Sequence, residues 1–394
     1  NTHRVAIIGT GRVGYQFNFG DLPDNHAEAI ALNKHCKLVA GVNRGREKLT
    51  AFGERYGVKD LFIDYEEMLS KVQPDICIVA THPELHCTMV EKCSAAPSTK
   101  AIICEKPMAL SLNECNRMIA ACEQNNTLLQ INHNRRWAPE WALAKSLVDQ
   151  GAIGELNCIY CYMDGCKPIP SWRSEHEGPL LHDATHYFDL MDYFAGEVDW
   201  LCGMAEQRRR PWAVEDFTAA FLKYRSGVTG VVHASELTEY GDNAFELRGT
   251  TGVIRMIGEK VNLWQSHLDE YEPDSGFQWS ALQLSEIEHP EPASSYSVAL
   301  NELLQALNGR STLRSDGQVG RRSLEIVMAI YQSQTNGNKP VSFPVDLTES
   351  GVEKLIELGP GKVLAGLTRR IDKSLSGTAI IDTATLKSTI EEIS

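Results

Sequence analysis

Gly9-Thr10-Gly11-Arg12-Val13-Gly14 follows the apolar run at 5–8 with nothing between them. The first glycine permits a tight turn. The second lets the backbone come close to a pyrophosphate, and the third lets the following helix pack against the strand. Unpaired N–H groups at that helix start would face the phosphates. Residues 9–14 therefore point to a bound dinucleotide, and a bare glycine turn is the alternative. A second chemical group is Lys106. Glu105-Lys106-Pro107 closes the apolar run at 101–104. A lysine fixed at the end of a buried strand can offer its ammonium to a substrate hydroxyl and favour an alkoxide developing there. Glu105 and Lys106 would then stand at the nicotinamide end of the cofactor. The alternative is an exposed lysine paired with Glu105.

Other residues bear on the same crevice. Enzymes that favour NAD usually place an acid at the end of the second strand, where it binds the ribose 2′-hydroxyl. This chain has Gly41-Val42-Asn43-Arg44 there, then Arg46 and Lys48. With no carboxylate in the slot, Asn43 and Arg44 suit a 2′-phosphate, so NADP is favoured over NAD. Thr81 and His82 end a third strand at the ligand edge of the sheet, with His86 just beyond, and all three are candidate cofactor contacts. Trp172-Arg173 could stack on and hydrogen-bond a sugar or a carboxylate. It could equally be a packing pair between domains.

These groups need a scaffold. Short apolar runs at 5–8, 38–42, 76–80, 101–104 and 128–131 alternate with helical patterns at 26–34, 46–56, 65–72, 86–95 and 112–125. That alternation predicts a parallel sheet with helices on both faces. Ser111-x-x-Glu114 predicts a capping box on the last of these helices. A helix is expected at 140–150. Strand patterns then dominate at 155–163, 200–207, 217–224, 230–237, 245–249, 253–257 and 261–265. Their close succession predicts a mainly antiparallel sheet, with Tyr160 and Tyr162 on one face and Ile159 and Cys161 on the other. A long loop is expected over 266–294, and helices at 295–308 and 316–335.

Composition narrows the classes. A chain of 394 residues suggests two domains, or two and an appendage. Its net charge of −14 argues against nucleic acid or an anionic membrane as partner. No apolar run reaches the length of a membrane span. The chain enters a strand at once, so no leader is expected. Its cysteines sit largely in apolar segments and are expected to be reduced thiols of a cytoplasmic protein.

The glycine turn, Glu105-Lys106-Pro107 and the later switch to strands together resemble the glucose–fructose oxidoreductase / inositol dehydrogenase / MocA family over about residues 3–344. The resemblance implies an α/β chain: a Rossmann domain over 1–134 and an α+β domain with an open, mainly antiparallel sheet over 135–344. It implies hydride transfer between NAD(P) and a secondary alcohol of a sugar-like or cyclitol substrate, with Lys106 catalytic. It also implies a homo-oligomer, dimer or tetramer, formed through the open sheet. The family carries an aspartate and an acid/base histidine four apart on a helix. His186 stands in the histidine's place, and imidazole titrates in the useful range. The aspartate's place holds His182, with Asp183 one residue later. On a helix 182 and 186 share a face, whereas 183 is turned about 100° away, so either could support His186. The resemblance also places Asn134 and Arg135 along the substrate.

Three rival functions share these motifs: a redox-assisted glycosidase holding NAD tightly, a biliverdin-reductase-like enzyme, and a non-catalytic cofactor-binding scaffold. His182-Asp183-x-x-His186 also imitates the H-E-x-x-H zinc helix, but no third ligand suggests itself, so no metal is expected. The last 50 residues, 345–394, differ. Gly359-Pro360-Gly361-Lys362 and Gly366-Leu367 resemble the final segment of a malonyl-CoA:acyl carrier protein transacylase. The chain has no G-x-S-x-G, so acyl transfer is excluded. Val352, Leu355, Ile356 and Leu358 predict a helix and a strand in this tail.

Overall fold

The structure is a computed structural model. It describes residues 2–16, 21–166, 177–210, 213–258, 260–266 and 281–345, with tail segments at 354–358, 376–380, 385–386 and 389.

The first layer is a six-stranded parallel sheet. Its strands are β1 (His3–Ile8), β2 (Cys36–Val42), β3 (Asp60–Phe62), β4 (Ile76–Val79), β5 (Ala101–Glu105) and β6 (Leu128–Asn132), in the order β3-β2-β1-β4-β5-β6. This is the doubly wound Rossmann order. The strand order reverses across the sheet between β1 and β4, which opens a crevice at their C-terminal ends. Strands β4 and β5 are buried at every position, as expected where helices cover both faces. The helix Leu112–Gln124 begins as its sequence predicts: Ser111 Oγ accepts the Glu114 N–H at 3.2 Å. Glu114 reaches back one residue further than a capping box requires, to the Leu110 N–H at 3.1 Å.

The second layer is a nine-stranded sheet. Its members are β7 (Leu156–Cys166), β8 (Val198–Glu206), β9 (Phe217–Tyr224), β10 (Thr229–Ser235), β11 (Leu237–Gly249), β12 (Gly252–Ile257), β13 (Lys260–Ser266), β14 (Leu282–Ser285) and β15 (Val341–Ser342). Every described pairing is antiparallel except β7 with β10. One face packs on the helices Pro139–Asp149, Thr185–Ala195 and Gly317–Thr335. The other is open. Ile159 and Cys161 face inward at 0% and 4% exposure, whereas Tyr160 and Tyr162 face outward at 43% and 37%.

The helix Ser295–Leu307 returns to the first layer. Tyr296, Leu300, Leu303 and Leu304 join the apolar cluster of Val5, Ile7, Ile76 and Ile103. The helix Gly317–Thr335 packs on Thr185–Ala195 and β8, and also on Leu112–Gln124 and β6. It therefore links the two layers.

Several local expectations change. β3 is an additional strand, three residues long at the sheet edge, with the polar Asp60 in it. It is too short to show a period. The glycine turn leads not into a long helix but into one π-helical turn, Arg12–Gln16. β14 forms inside the stretch expected to be loop, and residues 267–280 lie outside the described ones. In the tail the described elements are two parallel strands, β16 (Lys354–Leu358) and β17 (Ser376–Ile380), rather than a helix and a strand. Cys158 and Cys161 form a C-x-x-C spacing, but it falls on β7. Three residues along a strand point to opposite faces, so the two thiols cannot meet. All cysteines whose side chains are described are free.

Candidate active site

The crevice at the ends of β1 and β4 has the shape of a dinucleotide cradle. Gly9 has φ +103°, and a Cβ there would lie 2.3 Å from the Ala80 carbonyl oxygen. A Cβ on Gly14 would lie 2.3 Å from the Gly9 oxygen. Both positions therefore exclude any side chain. Gly11 is different, since a Cβ there meets nothing within 4 Å. The backbone at Gly11 faces open space, as a pyrophosphate requires. Thr10 is fully buried, and its Oγ1 has no partner. The donor set and the space fit the cofactor that the spacing predicts. Arg12 and Val13 lie in the π-helical turn beside this space.

The other cofactor candidates lie around the rim. Asn43 follows β2, and its Oδ1 accepts the Gly45 N–H at 2.8 Å, which shapes the turn. Arg44 next to it is exposed. Thr81 Oγ1 lies 3.4 Å from the His82 oxygen and 3.5 Å from Met89 Sδ. His82 is exposed. His86 is fully buried. Its Nδ1 lies 3.1 Å from the Pro107 oxygen and its Nε2 3.1 Å from the Thr81 oxygen. That ring ties the loop after β4 to the turn after β5, so it shapes the crevice instead of facing it.

Lys106 and Glu105 close β5. Glu105 Oε1 accepts from His26 Nε2 at 2.8 Å and from Asn132 Nδ2 at 2.6 Å. Burial alone would push its carboxyl up, but these bonds and the nearby Lys106 charge hold it below the ordinary range. Lys106 Nζ donates to the His182 oxygen at 2.6 Å. Burial lowers the basicity of Lys106, while Asp183, Glu105 and Glu177 oppose that shift. The ammonium is thus fixed between the two layers, at the end of the crevice.

His182, Asp183 and His186 arrive from the second layer. Residues Leu180–Ala184 form a π-helical turn leading into the helix Thr185–Ala195. His182 is held between two carboxylates: Nδ1 lies 2.9 Å from Glu177 Oε2 and Nε2 3.5 Å from Asp183 Oδ1. His186 is half-buried, and its Nδ1 is buried with no hydrogen-bond partner. Neither His182 nor Asp183 therefore bonds to that nitrogen. Burial drives the His186 pKa well below the ordinary imidazole value, and Lys106, Arg135, His133 and His182 drive it further. The ring is neutral at neutral pH, as a proton acceptor must be.

Asn134 and Arg135 lie in the short turn Asn134–Trp137, where the layers meet. The Arg135 guanidinium stacks over Tyr187, 4.3 Å from its centroid. Both residues line a cleft of about 600 Å³ whose walls include Asp24, Tyr187, Asn243 and Tyr296. Lys106 and His186 do not line it. Arg135 connects the two places, because its charge acts on both of those groups. Trp172 and Arg173 lie outside the described residues. Among the described residues no three His, Cys, Asp or Glu side chains are grouped to hold a metal ion.

Some groups at this site are not singled out by motif. Arg136 bonds both oxygens of Asp189 at 2.9 Å through Nε, pinning the helix Thr185–Ala195 to the end of β6. His133 is buried beside this pair; neither ring nitrogen makes a hydrogen bond, and Nδ1 lies 3.9 Å from Asp189 Oδ1. His26 and Asn132 on Glu105, and Glu177 on His182, complete the set. Only the polar run after β6 signals any of them in sequence.

The pattern described as "Oxidoreductase family, NAD-binding Rossmann fold" matches residues 3–133, and that of the GFO/IDH/MocA C-terminal domain matches residues 141–255. The chain belongs to the GFO/IDH/MocA oxidoreductase family. It is similar to a D-apiose dehydrogenase of Paraburkholderia graminis, 29% identical over 60% of this chain and 64% of that enzyme. It is also similar to a myo-inositol 2-dehydrogenase of Thermotoga maritima, 26% identical over 70% of this chain and 81% of that enzyme. Among solved structures it shares its fold with the WlbA dehydrogenase of Bordetella pertussis in complex with NADH and UDP-GlcNAcA. That match has a TM-score of 0.72 and 23% identity over 88% of this chain and 100% of the other. An aldose-aldose oxidoreductase of Caulobacter crescentus matches with a TM-score of 0.74 and 23% identity, over 87% of this chain and 100% of the other.

Proposed function

We propose that this member of the family is an NAD(P)-dependent dehydrogenase acting on a secondary alcohol of a sugar-like or cyclitol substrate. The observation that carries this is that Lys106, from the cofactor layer, reaches the turn leading to His186 in the other layer: its Nζ donates to the His182 oxygen, and its charge acts on the half-buried His186 imidazole. Residues 9–14 would hold the pyrophosphate, and the crevice leads from them to Lys106. When bound, the nicotinamide supplies a place for hydride at the reacting carbon. The protein does the rest. Lys106 donates a hydrogen bond to the substrate hydroxyl and favours its alkoxide. His186 takes the hydroxyl proton on oxidation and returns it on reduction. Asn134 and Arg135 grip the remainder of the substrate in the cleft, and Arg135 is pre-oriented by Tyr187. Holding the carbinol carbon in place supplies much of the acceleration. The test is a panel of cyclitols, aldoses and hydroxy acids assayed by nicotinamide absorbance. Turnover with none of them sinks the proposal. Glycoside cleavage without net cofactor change would favour the redox-assisted glycosidase instead.

NADP is the cofactor that the rim favours, since the slot after β2 holds Asn43 and an exposed Arg44. Arg44→Ala is expected to raise KM for NADP by about tenfold, the loss of one charge-assisted contact to phosphate, and to leave KM for NAD unchanged. Steady-state kinetics with both cofactors decide it, and equal effects would remove Arg44 from 2′-phosphate recognition.

The open face of the second sheet carries the exposed Tyr160, Tyr162, Phe221 and Val231. A continuous apolar and aromatic face of this kind marks an interface, and a second copy of this chain is its proposed occupant. Sedimentation should show a dimer or tetramer, and Tyr160→Glu with Val231→Glu should shift it to single chains. A single-chain mass for the unaltered protein would overturn this.

A further inference from the structure

The turn that carries His182, Asp183 and His186 is anchored from behind by a group with no part in the chemistry above. Glu215 lies two residues before β9 and is buried. Its Oε1 accepts the Leu180 N–H at 3.0 Å, and its Oε2 accepts the Tyr331 O–H at 3.1 Å. Leu180 opens the π-helical turn, and the first N–H groups of a helical segment have no partner within it. A carboxylate there satisfies one of them and matches the positive end of the dipole. Gly178 is fitted to this group. A Cβ at Gly178 would lie 2.2 Å from Glu215 Cδ, so a side chain there would displace the carboxylate from the turn. Tyr331 belongs to the helix Gly317–Thr335. Ser323 of the same helix donates to the Thr185 oxygen at 3.0 Å. One helix thus supports the anchor and the start of the helix that His186 stands on.

We propose that Glu215 is a positioning residue for the reaction: by holding the Leu180 N–H it sets where His182, Asp183 and His186 stand over Lys106. The proposal rests on the reading of this crevice as a dehydrogenase site.

The anchor also changes charge in the neutral range. Burial, with Glu236 as a neighbouring carboxylate, pushes the Glu215 carboxyl up to about 7 against the bonds from Leu180 and Tyr331. The groups facing it are Tyr331 from the helix Gly317–Thr335, Glu236 after β10, and the backbone of the turn itself. Asp216, next to it in sequence, is turned away, accepting the N–H groups of Arg208, Arg209 and Arg210. The anion accepts from both donors. Once protonated, one oxygen must donate, and the attraction to the turn weakens. Activity that depends on the anchor falls as pH drops through that value.

The test compares Glu215→Ala, Glu215→Gln and Tyr331→Phe in the full chain with cofactor saturating. Glu215→Ala is expected to lower kcat by about 10- to 100-fold, the cost of a misplaced group, with cofactor affinity unchanged. Glu215→Gln keeps an oxygen for the Leu180 N–H. Being neutral at every pH, it should hold kcat near the low-pH level of the unaltered chain, above that of Glu215→Ala, and lose the inflection near pH 7. Tyr331→Phe removes a donor that favours the anion, so the inflection should move to higher pH. Wild-type kcat in Glu215→Ala, or an unmoved inflection in Glu215→Gln, overturns the proposal. If Glu215→Ala does not fold, the other two variants decide. Imidazole NMR of His182 and His186 in the cofactor-free chain supplies an arm that needs no turnover. Their signals should follow the Glu215 titration in the unaltered chain and not in Glu215→Gln. If they do so in a chain that turns over no polyol, the anchor stands and the dehydrogenase reading falls. Turnover insensitive to all three variants gives the reverse result.

Discussion

Lys106→Ala is expected to lower kcat by about 10²–10³-fold, the usual loss when a preorganised donor to a developing oxyanion is removed. The size follows from how the ammonium is held. Glu105 is fixed by His26 and Asn132, and Lys106 by the His182 carbonyl, so the charge meets the substrate oxygen without reorganising. Lys106→Met keeps the apolar stem and should lose as much as Lys106→Ala, because the charge matters more than the packing. Cofactor affinity, read by fluorescence titration, should hold in both, since the pyrophosphate cradle belongs to residues 9–14. The loss should extend across the whole pH range in which the amine is protonated. Asp183 is the first of the carboxylates that support that protonated form. Asp183→Asn should therefore bring the high-pH decline of activity to lower pH. A Lys106→Met enzyme within a few-fold of the unaltered rate would remove Lys106 from the chemistry.

Elements whose cause is local are legible in the sequence. The glycine turn is one, because Gly9 and Gly14 answer to contacts within or beside the turn and Gly11 to the open space before it. The parallel sheet is another, since its strands are short apolar runs buried on both faces. Tyr160 and Tyr162 declare the open face of β7 through a period of two. What the sequence hides is set by distant partners. Glu105 takes its bonds from residues 79 and 27 positions away. Arg136 finds Asp189 across 53 positions. The helix Ser295–Leu307 completes the first layer from the far end of the chain, and no local pattern says which sheet it serves. The support of His186 is the instructive case. Helical spacing narrows its partner to His182 or Asp183. The π-helical turn instead places His182 between Glu177 and Asp183 and leaves the His186 Nδ1 without a partner. An extra residue in a helical turn changes which side chains meet, and composition gives no sign of it.

His186→Ala is expected to cost about 10²–10⁴-fold in kcat, the range for loss of a general base, and to change the pH profile in a way that Lys106→Ala does not. An unperturbed imidazole titrates near pH 6.5, but burial first, then the charges of Lys106 and Arg135, hold His186 well below that. The base is therefore ready at neutral pH. Its protonation should appear as a fall in kcat only on the acid side of the usual imidazole range. That fall should vanish in His186→Ala. The same shift acts on stability. An unfolded histidine takes up its proton as pH drops through about 6.5, while the ring in the folded chain does so only lower, so in that window the unfolded state binds more protons and the fold weakens. His186→Ala removes this contribution, and acid unfolding followed by circular dichroism should move to lower pH. The move should be partial, because His86 and His133 are buried with lowered basicity of the same sign. A His186→Ala enzyme with near-full activity and an unchanged acid limb would take the proton transfer away from this ring. The proton would then have to pass through His182, which Glu177 and Asp183 already hold in hydrogen-bonding or ion-pair reach. His182→Ala, measured in the same pH series, would then show the loss in its place.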